Sequence, residues 1–422
     1  MTTDAGSGAQ TLAITGLGAQ GDGIAVGPDG ELHVPQTLPG ETVELVAGRP
    51  PVRVGAPSPD RRSTYLCPHF PACGGCAHQH MSDDLYRGWK EPLLAEALAQ
   101  RGIVLATDPM LTVPVAARRR ATFTGRWTEA EFQLGFHGSR STHLQPITAC
   151  AVLLPSIVKA LPVLGQIASL LCRRDDEVRV HVLAADNGLD VVIDPGAKAR
   201  SRIDCPALAS LAAKARITRL TVDEEPAVQF AAPSIVIAGV ALTPPPGAFL
   251  QAAAEADAIL GRLVLAGLGK ARRVADLFSG LGTLSLAIAP RARVLAADND
   301  AGLLGALTAA HRLAHGLKPI ETLRRDLFRD PLSPRELDVF DAVVLDPPRA
   351  GARDQAEALA RSKVERVVMV SCNPATLARD LRILIDGGYT LERATPIDQF
   401  LYTAHLEAVA ILRRRRAPVS ER

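Results

Sequence analysis

The chain has 422 residues, 47 of them basic and 45 acidic, so its net charge of +2 does not by itself indicate a nucleic-acid-binding protein. No apolar run reaches the roughly 18 uninterrupted residues of a membrane span, and residues 1–10 lack the charged and then apolar pattern of a secretory signal. We therefore expect a cytoplasmic protein with no membrane partner, no obligate protein partner, and cysteines that are reduced or metal-bound rather than paired in disulfides.

The first segment of the chain is predicted to form short β-strands separated by Gly, Pro and Asp. Strands are expected at 11–15, 23–26, 31–34 and 42–46. Short strands joined by such turns are typical of a small β-barrel, which we assign to residues 1–60. The proline-rich, basic stretch at 50–62 is interpreted as a linker or the exit from this barrel.

Three closely spaced cysteines follow. Cys67, Cys73 and Cys76 lie together, and Cys150 is distant from them in the sequence. Four cysteines can bind a 4Fe–4S cluster or a structural zinc ion. Zinc sites usually pair two short Cys-x-x-Cys segments, which this chain does not have, but the spacing alone leaves both metals open.

The segment 61–246, which contains these cysteines, is predicted to be a central α+β domain. Residues 83–101 have apolar side chains at helical spacing, and this helix is expected to pack on the domain that follows. Strands are expected at 132–136, 177–183 and 189–193.

From residue 247 onward, strands and helices alternate. Strands are expected at 273–277, 293–297, 342–345, 366–370 and 408–412, with helices at 251–268, 281–288, 302–315 and 374–386. This alternation predicts an α/β domain at 247–422 with a doubly wound, Rossmann-like and mostly parallel sheet.

The turn after the first of these strands has the features of a nucleoside site. The strand carries Asp276, and Gly280 and Gly282 follow in the turn, at the sheet edge where such folds bind ligands. The third glycine of the dinucleotide fingerprint is missing, which favours a ligand without phosphates, although such a turn can also serve packing alone. The next strand ends at Asp298, which can accept both ribose hydroxyls, and Asp326 can contact the adenine edge.

Two later strands end in residues suited to chemistry. One runs into Asp346-Pro347-Pro348-Arg349, a rigid turn that can hold a planar base and that amino-methyltransferases also use. The next ends at Cys372, before a helix that begins near Pro374. A thiol at a helix N-terminus is expected to have a lowered pKa and to serve as a nucleophile, whereas most cysteines are simply buried apolar residues.

Methylation of a uracil ring at carbon 5 requires such a nucleophile, because carbon 5 is itself only weakly nucleophilic. Attack by a thiolate at carbon 6 makes carbon 5 enolate-like, so that it can accept a methyl group, and a base must then remove the carbon 5 proton. Glu407, at the start of the last strand, is the candidate base, although alone it could equally be a surface carboxylate.

These motifs strongly resemble the bacterial RNA 5-methyluridine methyltransferases over nearly the whole chain. The segments Asp346-Pro347-Pro348-Arg349, Ser371-Cys372-Asn373-Pro374 and His405-Leu406-Glu407 stand in the family's order. The resemblance implies S-adenosylmethionine-dependent methylation of uridine carbon 5 in RNA, with Cys372 as nucleophile and Glu407 as base. It implies that the opening barrel is an RNA-binding TRAM domain of the oligonucleotide-binding (OB) type. The cofactor or active-site contacts that it implies are Gln251, Phe278, Thr283, Asp298, Asp326 and Asp346.

The cysteine arrangement resembles the 4Fe–4S branch of the same family. This implies a cluster, structural in role, on Cys67, Cys73, Cys76 and Cys150. That branch mostly modifies large-subunit (23S) ribosomal RNA, so ribosomal RNA is the expected partner.

Three rival functions are open. A tRNA uridine-C5 methyltransferase would share the chemistry, while an amino-group or DNA methyltransferase would not need Cys372 together with Glu407. An RNA-binding assembly factor with a catalytically weak methyltransferase fold belongs to another class, and intact Cys372, Glu407 and Asp346 argue against it.

Overall fold

A computed structural model describes residues 10–27, 30–46, 49, 51–196 and 204–415. The described residues of the N-terminal part form five strands: β1 (Gln10–Leu17), β2 (Gly23–Gly27), β3 (Gly30–Val34), β4 (Thr42–Leu45) and β5 (Val52–Val54). They pair antiparallel in the order β3-β2-β1-β4-β5 around a small apolar core. The stretch interpreted from the sequence as a linker or barrel exit contains strand β5. The backbone of β5 pairs with β4, so this part of the stretch belongs to the sheet.

The helix expected at 83–101 is divided into two. The elements here are α1 (Asp83–Lys90), α2 (Leu93–Ala99) and the short strand β6 (Leu111–Thr112). Ser82 caps α1, since its hydroxyl accepts a hydrogen bond from the Leu85 backbone N–H at 3.1 Å. The division falls at Pro92, which has no backbone N–H with which to continue the first helix.

The central part is a mixed sheet covered on one face. Its elements are β7 (Arg120–Trp127), β8 (Phe132–His137), β9 (Leu144–Pro146), α3 (Pro155–Leu171), β10 (Glu177–Ala185), β11 (Gly188–Asp194), α4 (Cys205–Lys214), β12 (Ile217–Val222) and β13 (Glu225–Gln229). The seven strands have the order β13-β12-β11-β10-β7-β8-β9. Helices α3 and α4 pack on the face that carries Phe123, Val180 and Val191, and their apolar residues share one core with it.

A hairpin of β14 (Ile235–Ile237) and β15 (Val240–Leu242) leads into the C-terminal part. The elements that follow are α5 (Ala254–Leu268), β16 (Arg273–Leu277), α6 (Thr283–Ile288), β17 (Arg293–Asp298), α7 (Ala301–Leu313), β18 (Ile320–Arg324), α8 (Pro334–Leu337), β19 (Ala342–Leu345), α9 (Arg353–Arg361), β20 (Arg366–Ser371), α10 (Pro374–Asp386), β21 (Tyr389–Asp398) and β22 (Glu407–Arg414). The predicted alternation of strands and helices is present, and the fold is mixed α/β.

The C-terminal sheet has eight strands in the order β18-β17-β16-β19-β20-β22-β21-β6. Strands β16 to β20 pair in parallel, and β22 runs antiparallel between β20 and β21. Consequently the ends of β16, β17, β19 and β20 and the start of β22 meet at one edge. That geometry brings residues that are far apart in sequence into one site.

The segment from α1 to β6 packs against this sheet. Leu94 and Leu98 of α2 are fully buried in the core that also contains Leu377 and Leu381 of α10. Strand β6 pairs in parallel with the end of β21. Among the residues that the structure describes, no helix is both long and apolar enough to cross a membrane.

Candidate active site

A cavity of about 480 Å³ opens at the carboxyl edge of the parallel strands. Seven of the eight residues that the sequence predicts for catalysis or cofactor binding line it. They are Gln251, Phe278, Asp298, Asp326, Asp346, Cys372 and Glu407. The eighth, Thr283, is the first residue of α6 and lies outside the lining.

One half of the cavity is built around Asp298, at the end of β17. Its two carboxylate oxygens accept hydrogen bonds from the backbone N–H groups of Gly280, at 2.9 Å, and Asp300, at 3.0 Å. These bonds hold the carboxylate at the strand end, and each oxygen keeps a lone pair for a further donor. The carboxylate can therefore bind the two hydroxyls of a ribose.

Two aromatic rings line the same half of the cavity. The Phe278 and Phe328 ring centroids are 5.3 Å apart, with planes tilted by 54°. Phe278 follows β16 and has a positive φ of 62°, an unusual backbone conformation for a bulky residue. Asp326 lines the wall beside Phe328 and accepts a hydrogen bond from its backbone N–H at 3.1 Å. Flat apolar rings beside a carboxylate are suited to a purine.

The turn that contains Gly280 and Gly282 shapes the half of the cavity around Asp298. Of these two glycines, Gly280 lines the cavity. Gly282 has a φ of 80°, and a Cβ there would lie 2.5 Å from Leu307, so the turn into α6 requires glycine at this position. Asp276 is fully buried below the turn and accepts a hydrogen bond from the Ser285 hydroxyl at 2.6 Å. Burial raises its pKa to about 7. Asp276 therefore supports the turn from below.

The other half of the cavity contains the candidate base within a chain of hydrogen bonds. Glu407 is 2% exposed, and its Oε2 accepts a hydrogen bond from Nε2 of Gln399 at 2.7 Å. The same nitrogen donates to Oε1 of Gln251 at 2.8 Å, and Gln251 Nε2 donates to Asp346 at 3.2 Å. Burial and the neighbouring carboxyl of Asp346 raise the pKa of Glu407 well above its usual range.

Cys372 lies between β20 and α10, as predicted, but its pKa is not lowered. Burial raises the pKa of the thiol to about 11, and the nearby carboxyls of Glu407 and Asp346 act in the same direction, against the smaller effect of Arg349. The expectation of a lowered pKa is therefore wrong for the protein without ligands. That expectation rested only on the position of Cys372 at the start of α10. Burial and the carboxyls of Glu407 and Asp346, which are distant in sequence, have the larger effect on the thiol pKa.

Three residues of the site were not predicted from the sequence: Gln399, which bonds to Glu407, and the lining residues Phe249 and Arg120. Gln399 follows the end of β21, and no motif marks it. Phe249 lies two residues before Gln251, in the loop that leads to α5. Arg120 lies in an arginine run at the start of β7, and its guanidinium carbon is 4.0 Å from the centre of the Phe249 ring. Such residues become recognisable only when the central and C-terminal parts are placed together.

The four cysteines line a second cavity, of about 290 Å³, between the 67–76 loop and the central sheet. Apolar side chains, among them Phe70, Phe136, Ile147 and Leu153, form much of the wall, and Arg118 borders it. Within the described ranges, no three His, Cys, Asp or Glu side chains are gathered closely enough to hold a single metal ion.

Comparison with known proteins gives three findings. The family model described as tRNA (Uracil-5-)-methyltransferase matches residues 325–415. An uncharacterized RNA methyltransferase of Brucella suis is 46% identical over 95% of this chain and 97% of its own. A 23S rRNA (uracil(1939)-C(5))-methyltransferase of Chromohalobacter salexigens is 33% identical over 96% of this chain and 90% of its own.

One solved structure has the same overall fold. The tRNA (uracil-54, C5)-methyltransferase of Pyrococcus abyssi, in complex with S-adenosyl-L-homocysteine, superimposes with a TM-score of 0.71 and covers 95% of this chain and 99% of its own. The sequence identity is 21%, so the likeness concerns the fold alone.

Proposed function

The chain belongs to the RNA 5-methyluridine methyltransferase family and is an S-adenosylmethionine-dependent RNA (uracil-C5-)-methyltransferase, and we propose that its substrate is large-subunit ribosomal RNA. The relative from Chromohalobacter salexigens supports this choice, since its name specifies 23S rRNA and it aligns over nearly the full length of both chains. The alternative substrate is tRNA, which the description of the family model names.

We propose a covalent mechanism that uses Cys372 and Glu407. Cys372, after its thiol has lost its proton, attacks as thiolate and forms a bond to carbon 6 of the uracil, and the electron pair of the carbon 5–carbon 6 double bond moves toward the carbon 4 oxygen. S-adenosylmethionine, when bound, supplies the methyl group that carbon 5 accepts. Glu407 then takes the carbon 5 proton, the carbon 6–sulfur bond breaks, and the double bond is restored. The observation that carries this proposal is that both side chains line one cavity.

The charges in the cavity support a cationic cofactor. Glu407 is buried and Asp346 is half-buried. Burial and the carboxyls of Asp276 and Asp257 raise the pKa of Asp346 to about 7, and burial and the Asp346 carboxyl raise the pKa of Glu407. Two carboxyls so placed are stabilised in their ionised form by a positive charge between or beside them. The sulfonium of S-adenosylmethionine provides such a charge. It would favour ionisation of both carboxyls.

The other half of the cavity fits the adenosyl group. Asp298 would hold the ribose hydroxyls, the rings of Phe278 and Phe328 would contact the adenine, and Asp326 would lie at its edge. Gln251 would lie at the boundary between the two halves, because it donates to Asp346. These side chains are proposed to bind and orient the methyl donor.

We also propose that Cys67, Cys73, Cys76 and Cys150 bind a 4Fe–4S cluster. A zinc ion needs its sulfurs about 2.3 Å from one point, whereas these four thiols line a cavity of about 290 Å³. The mostly apolar wall suits a cluster shielded from water, and the Arg118 guanidinium borders it as a counter-charge. Because methyl transfer requires no electron, the proposed role is structural: the cluster joins the 67–76 loop to the start of α3.

The N-terminal strands are proposed to form an RNA-binding TRAM domain of the OB type. An OB fold is a five-stranded, partly open barrel, and the part of this segment that the structure describes has five strands around one core.

Methyl transfer to defined RNAs tests the substrate. Unmodified 23S rRNA and tRNA transcripts would be incubated with the protein and methyl-labelled S-adenosylmethionine, digested to nucleosides and mapped. We expect labelled 5-methyluridine in the 23S transcript at one site. Label in tRNA alone would contradict the ribosomal substrate, and no transfer to either RNA would favour the catalytically weak assembly factor.

A further inference from the structure

Part of one face of the central sheet is uncovered beside the active site, next to the portion that the β14–β15 hairpin covers at Leu183. Along β7, the residues facing α3 are buried, while Arg120, Thr122 and Thr124 alternate with them and point to the other side. Their cross-strand neighbours on β10 include His181, opposite Thr122, and Arg179, opposite Thr124. We call these five residues the open sheet face.

The open sheet face continues into the active-site cavity. Arg120, Thr122 and His181 line a cleft together with Gly247 and Ala248 of the loop before α5. Arg120 also lines the active-site cavity, as does Phe249, the residue after Ala248. The cleft and the cavity therefore share a wall, and a chain lying in the cleft would reach the cavity at Arg120.

Two carboxylates lie near the arginines of this face: Asp194 is opposite Arg179 on the next strand, and Asp190 lines the cleft but is paired with Arg219. Neither Arg120 nor Arg179 forms an ion pair with any residue in the described part of the chain, and the Arg120 Nε is buried without a hydrogen-bond partner. Burial and the adjacent Arg118 and Arg119 lower the pKa of Arg120 to about 10, so it stays cationic at neutral pH. A partly buried cation without a partner is costly unless an anion completes it.

We infer that the open sheet face binds the phosphate backbone of the RNA strand that leads to the target uridine, with Arg120 at the inner end of this track and Arg179 along it. This inference rests on the proposed RNA substrate. An exposed arginine, Arg179, and a partly buried one, Arg120, on a polar sheet face suit a strand recognised through its backbone. The Thr122 hydroxyl, bonded to His181 Nδ1 at 3.0 Å, adds a polar group between them.

The matched test is a set of charge variants on the two sides of the central sheet. Arg179→Glu reverses a charge on the open sheet face, and Lys159→Glu makes the same kind of change on exposed α3, which covers the other face. Affinity for an unmodified 23S rRNA transcript would be measured by filter binding over a range of salt concentrations. Arg179→Glu should raise Kd about tenfold or more and reduce the salt slope by about one. Lys159→Glu should leave both unchanged.

A gain-of-affinity variant excludes a folding defect as the cause. Asp194 on β11 lies opposite Arg179 on the same side of the sheet, where its carboxylate would repel a phosphate. Asp194→Asn should lower Kd about threefold, because it removes this repulsion and keeps a side-chain oxygen. Equal Kd values for Arg179→Glu, Asp194→Asn and the wild type would overturn the inference.

Methyl transfer by the wild type tests the proposed function separately from the RNA track, because measuring the Kd for the transcript requires no turnover. A wild type that methylates the transcript while Arg179→Glu binds it normally refutes the RNA track alone. A wild type that binds through Arg179 but transfers no methyl group supports the track and refutes the proposed function.

Discussion

Gln399 donates a hydrogen bond from Nε2 to Oε2 of Glu407 over 2.7 Å, so the candidate base is held by a side chain that no motif marks. The same nitrogen lies 2.8 Å from Oε1 of Gln251, and the Gln399 Oε1 accepts from the Ala252 backbone N–H at 3.0 Å. Gln399 is therefore fixed at both ends of its amide. It determines where the Glu407 carboxyl points and links it to the cofactor side of the cavity.

Replacing Gln399 should slow catalysis more than it weakens cofactor binding. Gln399→Leu removes a hydrogen bond that lowers the pKa of Glu407, so the carboxyl becomes less available as a base and less well oriented. Loss of a bond to a charged group, about 1.5–3 kcal/mol, corresponds to a fall in kcat of roughly 10- to 150-fold. Steady-state kinetics on RNA and calorimetry with S-adenosylmethionine would separate the two effects.

Gln355→Leu is the matched control for this variant. Gln355 is a buried glutamine, 1% exposed, whose amide bonds to the backbone of Leu332 away from the cavity. Its replacement should reduce stability and leave kcat unchanged. An equal loss of kcat in both variants would remove Gln399 from the positioning of Glu407.

The raised pKa values predict activity that increases with pH. The nucleophile acts as thiolate and the base as carboxylate, so both active forms have lost a proton, and the pKa of each group is raised. Since the thiol of the free protein has a pKa of about 11, kcat/KM should rise at least about tenfold per pH unit through the neutral and mildly alkaline range, and more steeply where Glu407 is still protonated.

Alkylation would identify the cause of this shift. The rate at which iodoacetamide modifies Cys372, followed by peptide mapping, should show an inflection at lower pH in Glu407→Gln and in Asp346→Asn, because each variant removes a negative charge near the thiol. An inflection at the wild-type pH in both variants would leave burial as the sole cause.

Much of this site could be predicted because parallel strands end at one edge. Asp298, Asp346 and Cys372 each follow a strand that the sequence indicates, and the strand order then brings them together. Glu407 joins them because β22 runs antiparallel beside β20 and begins where the others end. Local patterns therefore sufficed for residues attached to strand ends.

The remainder depends on tertiary contacts that local patterns do not encode. Arg120 belongs to the central sheet and reaches the cavity only because the loop before α5 lies against β7. The raised pKa of Cys372 has the same origin, since Glu407 is distant in sequence. The break between α1 and α2, in contrast, could have been predicted from Pro92.

Asp298→Ala should weaken binding of S-adenosylmethionine. Loss of charged hydrogen bonds to the ribose would cost about 1.5–3 kcal/mol, or roughly 10- to 150-fold in Kd. Asp300→Ala is the control, because Asp300 caps α7 and does not line the cavity. Calorimetry should show weakened binding only in Asp298→Ala, and unchanged affinity there would exclude Asp298 from the cofactor site.

Anaerobically purified protein should be brown and contain about four irons per chain. Cys150→Ser should lose the colour and most of the iron, whereas Cys205→Ser, which changes an exposed cysteine outside the cysteine-lined cavity, should retain both. Iron analysis and visible absorption would measure this. Colourless wild-type protein with one zinc per chain would contradict the proposed cluster.

Variants of Cys372 and Glu407 should stop the covalent cycle at opposite ends. Cys372→Ala should abolish methyl transfer and leave RNA and cofactor binding nearly intact, because the sulfur is needed only to form the bond to carbon 6. Full activity in this variant would refute the covalent mechanism.

Glu407→Gln should instead allow attack and methyl transfer but stall elimination, because the carbon 5 proton is not removed. The amide can still accept a hydrogen bond from Gln399, so the cavity should keep its shape. The variant should accumulate an enzyme–RNA adduct that survives denaturing electrophoresis and carries label from the methyl donor, and the double variant Cys372→Ala/Glu407→Gln should form none. Because the uridine must leave its stack to reach both side chains, an unpaired target should give more adduct than the same sequence within a duplex. Normal turnover by Glu407→Gln without an adduct would require another base, for which a water molecule held by Asp346 is the nearest candidate.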